Sequence, residues 1–147
     1  MKSILFLVIM LRFATPVQTW LTDFEQAKTE AVKDKKLILL NFSGSDWCGP
    51  CMRLKKEIFN SDAFNTFASE NLLLVNADFP RLKKNKLSDQ QTKQNENLAS
   101  IYNANGSFPL TLLLNAEGKI LKEWNGFPDV PPNEFVKQVK KIVDANR

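Results

Sequence analysis

Two short apolar segments, at residues 37–40 and 72–77, limit the folds that are open to this chain of 147 residues. Neither segment alternates between apolar and polar residues, as a strand with one solvent-exposed face would. A short, nearly continuous apolar run is typical of a strand that is covered on both faces, as in parallel sheets. The sequence therefore predicts two buried strands, over residues 36–42 and 72–77.

Residues that initiate helices stand before each of the other apolar patterns. Thr22 and Glu25 have the spacing of a capping box, at the start of a first helix that is predicted to end at Lys33. Pro50 would lie in the first turn of a second helix, where a missing N–H costs little. The other predicted helix starts are Ser61, Ser88 and Asn133.

Apolar residues recur within these segments at three- and four-residue spacing, and they predict the buried helix faces. They are Phe24, Ala27, Ala31, Val32, Cys51, Leu54, Ile58, Phe64, Phe67, Ala68, Leu98, Ile101, Tyr102, Phe135, Val136, Val139, Ile142 and Val143. Residues 110–114 and 119–124, joined by a turn, have the pattern of a β-hairpin. Alternating helices and strands followed by a hairpin predict an α/β fold, with a central mixed sheet and helices on both faces.

The only two cysteines lie in the segment Trp47-Cys48-Gly49-Pro50-Cys51, and the chain has no histidine. Two thiols at this spacing form half of a metal site or a redox pair. A structural zinc site needs four ligands, usually Cys and His, so this composition disfavours a metal. A pair of inert core cysteines is the other alternative, but Gly and Pro are turn and helix-start residues. The motif therefore favours a redox pair.

The overall composition, 44% hydrophobic and 24% charged, is ordinary for one soluble globular domain. Outside the N-terminal segment, which contains Lys2 and Arg12, 18 basic residues face 16 acidic ones. Such a small surplus does not predict nucleic-acid binding. Basic residues cluster at Arg81, Lys83, Lys84 and Lys86. This cluster is either a partner-binding patch or a solvated loop, and a solvated loop is the more common case.

Residues 1–19 have the pattern of a signal peptide, with Lys2 ahead of an apolar run at residues 4–11. The run is too short to cross a hydrocarbon core of about 30 Å. We expect cleavage before Trp20, which leaves one domain over residues 20–147; a retained anchor or a misassigned start is the alternative. Export would place the two thiols in an oxidising compartment, periplasmic or secreted.

The segment Trp47-Cys48-Gly49-Pro50-Cys51, after an apolar strand, resembles the active site of the thioredoxin superfamily. Ser107-Phe108-Pro109 resembles the segment that carries the cis-proline of that family, and residues 115–119 resemble its hairpin turn, followed by Gly126. Residues 42–48 are most similar to exported thioredoxin-like proteins, including a periplasmic domain that passes electrons onward from a membrane reductase. The resemblance covers residues 20–147 and implies a thioredoxin-like fold.

The resemblance implies thiol–disulfide exchange without a bound cofactor, in which Cys48 attacks and Cys51 resolves the mixed disulfide. A helix start at Cys48 should stabilise its thiolate and lower its pKa below the free value of about 8.5. Gly49 and Pro50 resemble the reducing members, whose potential is about −270 mV. The expected partners are proteins with disulfides and an upstream dithiol donor, without nucleic acid or stable membrane insertion.

The family pattern also implies a substrate-binding face. Its expected members are Trp47, Gly49, Pro50, Phe108 and Pro109. With a cis peptide bond before Pro109, the backbone of Phe108 would face a bound peptide. An alternative function is a redox-silent or chaperone-like module that binds a partner through this same face. A peroxidase is a third alternative. It is less favoured because the peroxide-reducing enzymes of this fold have their cysteine at a different position and lack the Trp-Cys-Gly-Pro-Cys segment.

One position departs from the family pattern. Thioredoxins carry a buried carboxylate near the end of the strand before the active site, and the matching residue here is Asn41. An amide does not take up a proton. The candidate proton relay for Cys51 therefore consists of Asn41 together with Asp46, Glu57 or water.

Overall fold

The computed structural model describes residues 18–146. Its strands are β1 (Trp20–Leu21), β2 (Leu37–Ser43), β3 (Leu72–Asp78), β4 (Leu110–Leu114) and β5 (Ile120–Asn125). Its helices are α1 (Phe24–Asp34), α2 (Gly49–Leu54), α3 (Asp62–Asn71), α4 (Asp89–Tyr102) and α5 (Pro132–Ala145). A π-helical segment (Lys55–Phe59) continues α2, and a short 3-10 turn (Lys83–Asn85) precedes α4. Residues 1–17, which make up most of the predicted signal segment, lie outside the described residues.

The strands form one sheet in the order β1-β3-β2-β4-β5. The first three strands of that order are parallel, while β4 pairs with β2 and β5 in antiparallel register. Every residue of β2 is buried, and β3 is buried except for the half-buried Asn76 and Asp78, as the continuous apolar runs predicted. The hairpin strand β4 is also fully buried. The mixed sheet is therefore confirmed, with β2 in its centre.

Helices cover both faces of the sheet, because successive side chains of a strand point to opposite faces. In β2, Leu37 and Leu39 pack with α3, α5 and the helical segment after the cysteines. Ile38, Leu40 and Phe42 pack on the other face, beneath α1 and α4. Alternate residues of the same strand thus supply two separate hydrophobic layers, which confirms the predicted arrangement.

Two helix starts differ from the sequence prediction. Asp23, not Thr22, caps α1, because its carboxylate accepts hydrogen bonds from the backbone N–H groups of Glu25 and Gln26 at 2.9 and 3.1 Å. Helix α5 starts at Pro132 rather than after Asn133. A proline suits a first helical turn, where its missing N–H has no intrahelical partner to lose.

Two apolar residues predicted to be buried are exposed, and one strand was not predicted. Val32 is 65% exposed and Ile101 is 71% exposed. Val32 lies beside the buried Ala31, and Ile101 lies beside the half-buried Tyr102. One step along a helix turns a side chain by about 100°, which directs Val32 and Ile101 away from the sheet. Strand β1 is only two residues long and is held by pairing with β3, so it carries no pattern of its own.

Candidate active site

The two cysteines lie where β2 ends and α2 begins. Cys48 is the N-cap residue of α2, and its sulfur accepts a hydrogen bond from the backbone N–H of Cys51 at 3.2 Å. The two residues are joined by a disulfide, with their Cα atoms 5.2 Å apart. Unpaired N–H groups at a helix start favour negative charge, so this position suits a thiolate once the disulfide is reduced.

Both cysteines are buried to a similar degree, although the position of Cys51 one turn inside the predicted helix favours deeper burial for it. Cys48 is 5% exposed and Cys51 is 4% exposed. The disulfide holds the two sulfur atoms side by side against the first helical turn, which makes their exposure similar. Gly49 and Pro50, between them, are both exposed. The accessible part of the motif is therefore its central dipeptide.

Trp47 is half-buried and belongs to an aromatic cluster beside Cys48. Its indole N–H donates to the carbonyl of Phe79 at 2.7 Å. Its ring meets Phe108 edge to face, with centroids 5.4 Å apart, and Phe108 packs on Phe79 at the same distance. The structure thus brings together Trp47 and Phe108, two of the predicted substrate-binding residues, although they lie far apart in the sequence.

Gly44 makes room for this tryptophan. A Cβ atom at position 44 would lie 2.3 Å from the indole ring of Trp47, closer than two carbon atoms can approach. The Gly44 carbonyl also accepts the N–H of Cys48 at 2.9 Å, which closes the turn into the helix. By contrast, a Cβ at Gly49 would meet nothing within 4 Å. The turn composition signalled a loop at Gly44, but only the folded ring position shows why a glycine is required.

The peptide bond between Phe108 and Pro109 is cis, as the family pattern predicted. Pro109 is buried and Phe108 is half-buried. The preceding turn is held by Asn103, whose side chain accepts the N–H of Ser107 at 2.8 Å and donates to its carbonyl at 2.9 Å. The carbonyl of Pro109 accepts the N–H of Gly126 at 2.8 Å. Sequence reasoning missed Asn103, since a buried amide has no periodic signal.

A second support for the site was also missed. The side chain of Asp78, at the end of β3, accepts hydrogen bonds from the backbone N–H and the hydroxyl of Ser45. Asn95, which is 3% exposed, donates to the Asp78 carbonyl at 2.8 Å. Helix α4 and the loop before the cysteines are therefore both fixed to the end of β3.

Asn41 lies in the sheet beneath the site and is 5% exposed. Its amide donates to the side chain of Asn76 at 3.1 Å and accepts the hydroxyl of Thr111 at 3.1 Å. These residues are register partners of Asn41 on the two adjacent strands. The buried position that holds a carboxylate in thioredoxins is thus part of a neutral network here.

A cavity of about 180 Å³ lies beside Cys51. Its lining is mixed, and consists of Trp20, Asn41, Ser43, Ser45, Cys51, Met52, Lys55, Phe59 and Asn76. A polar cavity of this size has room for water. The structure therefore brings Asn41 and Cys51, two predicted site residues, to the same cavity.

Asp46 and Glu57, the two candidate carboxylates of the proton relay, are not among the residues lining this cavity. Glu57 is exposed and pairs with the guanidinium of Arg53 at 2.9 Å. Asp46 accepts the backbone N–H groups of Arg81 and Leu82 at 2.9 and 3.0 Å. These donors, with Arg81 the largest contribution, lower the pKa of Asp46 and make it a weaker base.

Replacing Asp46 with asparagine should lower the stability of the protein at neutral pH. The pKa of Asp46 is lower in the folded protein than its ordinary value of 3.8, so the ionised carboxylate stabilises the fold above that value. This contribution is lost as the pH falls through the folded pKa. Urea unfolding of wild type and Asp46→Asn should therefore differ at pH 7, and the difference should shrink below about pH 4.

Asp34→Asn is the matched control, because Asp34 is exposed and lies in the last turn of α1, where no backbone N–H group caps it. A constant difference between wild type and Asp46→Asn from pH 7 to pH 2 would contradict the prediction. So would an equal effect in the control.

No cluster of three or more Cys, Asp or Glu side chains within residues 18–146 is arranged to hold a metal ion. In the same part of the chain, no helix combines the length and apolarity that are needed to cross a bilayer.

Known proteins show the same sequence pattern and the same fold. A family model described as a thioredoxin-like domain matches residues 24–142. The disulfide bond reductase DsbH of Chlamydia pneumoniae is 35% identical over 120 residues, which cover 82% of this chain and 70% of that protein. The thioredoxin-related protein DsbJ of the same organism is 31% identical, over 86% of this chain and 36% of that longer protein.

A solved structure of a DsbH oxidoreductase superimposes with a TM-score of 0.78 and 32% sequence identity. The match covers 91% of this chain and 92% of the other. Members of this family carry out exchange through a redox-active cysteine pair rather than a bound cofactor, and Cys48 and Cys51 form such a pair here. The chain therefore belongs to the thioredoxin-like family and is a thiol–disulfide oxidoreductase.

Proposed function

We propose that this chain reduces disulfides in protein substrates by dithiol–disulfide exchange in an exported compartment. The observation that carries the proposal is the position of Cys48 at the N-cap of α2, where its sulfur accepts the N–H of Cys51. This hydrogen bond would stabilise the thiolate that attacks a substrate. Cys48 and Cys51 are the proposed catalytic residues.

The proposed reaction has two exchange steps. In the reduced protein, the Cys48 thiolate attacks one sulfur of the substrate disulfide, forms a mixed disulfide and releases the other substrate sulfur as a thiolate. Cys51 then loses its proton and attacks Cys48, which releases the second substrate thiolate and forms the Cys48–Cys51 disulfide. Two electrons pass to the substrate, and an upstream dithiol donor restores the reduced form.

Water in the cavity beside Cys51 is the proposed proton acceptor for the second step. Asn41 lines that cavity, but its amide is already bonded to Asn76 and Thr111 and has no basic oxygen. Asp46 and Glu57 remain predicted members of the relay, although both have other hydrogen-bond partners. An amide does not take up the proton, so the proposed role of Asn41 is to orient water in this cavity through the part of its amide that Asn76 and Thr111 leave free.

The proposed substrate-binding face consists of residues from two separate segments, 47–50 and 108–109. Gly49 and Pro50 are exposed at the start of α2, so a polypeptide can approach the disulfide there. Trp47 and Phe108 contact each other and supply apolar surface next to the dipeptide. Pro109 follows Phe108 and completes the face.

The reducing direction and the exported compartment rest on different observations. The name of the Chlamydia relative, disulfide bond reductase, supports reduction. The resemblance of Gly49-Pro50 to reducing family members supports the same direction. The N-terminal segment, with Lys2 ahead of an apolar run, supports a periplasmic or secreted location.

The reduction potential of the Cys48–Cys51 pair tests the direction. Equilibration of the purified protein with dithiothreitol or glutathione buffers should give a reduction potential of about −270 mV, as in reducing members of the superfamily. The reduced fraction is measured by thiol alkylation and mass spectrometry. A value above about −180 mV would show that the pair is an oxidant in most compartments and would contradict the proposed direction.

A further inference from the structure

We propose that the basic loop, residues 81–86, binds acidic segments that flank the disulfide of a protein substrate. The proposal rests on the proposed reductase function and adds a substrate preference to it. The loop was noted in the sequence for its cluster of positive charges, and the structure places it beside the active site.

The basic loop is fixed to the loop that carries the active-site tryptophan. Asp46 accepts the backbone N–H groups of Arg81 and Leu82 at 2.9 and 3.0 Å, and the side-chain amide of Asn85 at 3.0 Å. Asp46 is the residue immediately before Trp47. Three hydrogen bonds to one carboxylate hold the basic loop next to the site, so its backbone has a defined position relative to the active-site loop.

Arg81 connects the loop to the proposed substrate-binding face. Its guanidinium group lies 3.7 Å from the centroid of the Trp47 ring, in cation–π contact. The same ring also contacts Phe108, with the two ring planes nearly perpendicular. A polypeptide that lies across Trp47 and Phe108 therefore passes directly beside a positive charge.

Three cations of the basic loop form no ion pair with the carboxylates of residues 18–146. In the part of the chain that the structure describes, no ion pair includes Arg81, Lys83 or Lys84. The nearby carboxylates have internal donors instead: Asp46 holds the basic loop, and Asp78 holds Ser45. Asp46 and Asp78 keep their negative charge, but within the described residues Arg81, Lys83 and Lys84 have no ion-pair partner and are open to an acidic ligand.

Lys86, at the end of the basic loop, differs from the other three cations because it has an ion-pair partner. Its Nζ atom lies 3.4 Å from Oδ1 of Asp89, and both side chains are largely exposed. Leu82 is 48% exposed and adds an apolar contact between the cations. The loop therefore suits an acidic peptide with an apolar residue. Exposed charges act over a screening length of about 8 Å at physiological salt, and they change the rate of association more than the chemical step.

Three disulfide-bonded peptides of equal length test this proposal. They share the sequence around the disulfide and differ only in the flanking residues, which are acidic, neutral or basic. The reduced protein should reduce the acidic peptide with a kcat/KM about fivefold above that of the neutral peptide, mainly through KM, and should reduce the basic peptide more slowly. The higher kcat/KM of the acidic peptide should decrease when the salt concentration rises from about 0.05 M to about 0.5 M.

The test variant is Lys83→Gln/Lys84→Gln, since neither residue belongs to the proposed catalytic or aromatic groups. It should lose the acidic preference and keep the neutral-peptide rate. The control, Lys33→Gln/Lys141→Gln, removes the same charge from exposed positions near the C-terminal ends of α1 and α5 and should keep the preference.

Equal rates for the three peptides in wild type would overturn the inference and leave the reductase function intact. Equal losses in the test and control variants would also overturn it, because the effect would then come from net charge alone. If wild type reduces none of the peptides, the proposed function fails and the inference with it. Loss of binding to phosphatidylserine vesicles in the test variant, with unchanged peptide rates, would assign the loop to a membrane surface instead.

Discussion

Replacing Cys48 with serine should abolish disulfide reduction, with a loss of roughly a thousandfold or more in turnover, because a hydroxyl at neutral pH does not attack a disulfide. Cys51→Ser should lose multiple turnover as well, but for a different reason. Its Cys48 thiolate still attacks the substrate, but the protein has no second thiol to resolve the mixed disulfide, so release depends on the slower attack by external dithiothreitol. The measurement is insulin reduction with dithiothreitol as electron donor.

The two single variants should therefore differ in what they retain. Cys51→Ser should accumulate disulfide-linked complexes with substrates, visible on non-reducing gels and released by dithiothreitol. The double variant, Cys48→Ser/Cys51→Ser, is the control and should trap nothing. If both single variants reduce insulin as well as wild type does, the protein is a binding module that uses the Cys48–Pro109 face and not an enzyme.

Phe135→Ala should lower the free energy of unfolding by about 3–5 kcal/mol, which is a large share of the stability of a domain of this size. Phe135 is fully buried in α5, and its ring contacts those of Phe59, Phe64 and Trp124 at centroid distances of 6.2, 6.2 and 5.0 Å. Removing the ring leaves a cavity among three aromatic side chains that cannot all move into it. Urea denaturation of the oxidised protein measures the change.

Ile101→Ala is the matched control for this measurement. The sequence places Ile101 on the buried face of its helix, whereas the structure leaves it 71% exposed. Its truncation should change stability by no more than about 0.5 kcal/mol. Equal losses of stability for the two variants would contradict the prediction that the Phe135 ring stabilises the packing of α5 against the sheet.

The sequence alone determined the elements whose signal is local. The continuous apolar runs identified β2 and β3 as buried strands, and the cysteine spacing after a strand identified the redox motif. The Ser61 and Ser88 side chains cap their helices as predicted, with hydrogen bonds to the N–H groups of Phe64 and Gln91. These features depend on neighbours within four residues, so a sequence pattern contains them.

The supporting residues of the site had no such signal. Asn103 and Asn95 are buried amides whose partners lie in loops or at strand ends, and Gly44 is required only because a folded indole ring lies against it. Nothing in the local sequence distinguishes these residues from ordinary polar loop residues. Asn95 bonds to Asp78, 17 positions away. Asn103 and Gly44 have partners within four positions, but their roles depend on the geometry that these turns take in the folded chain.

The sequence by itself determined the chemistry of this protein, because two cysteines at the start of a helix, without histidine or further cysteines, leave exchange of a disulfide as the favoured reaction. Only the tertiary structure decided what surrounds the sulfur atoms. It joined Trp47 to Phe108, placed Asn41 in a neutral network beside Cys51, and fixed the basic loop to Asp46. The contacts of Trp47 with Phe108, of Asn41 with Thr111 and of Asp46 with Arg81 each join residues more than 30 positions apart. No periodic pattern in a sequence reports contacts over such separations.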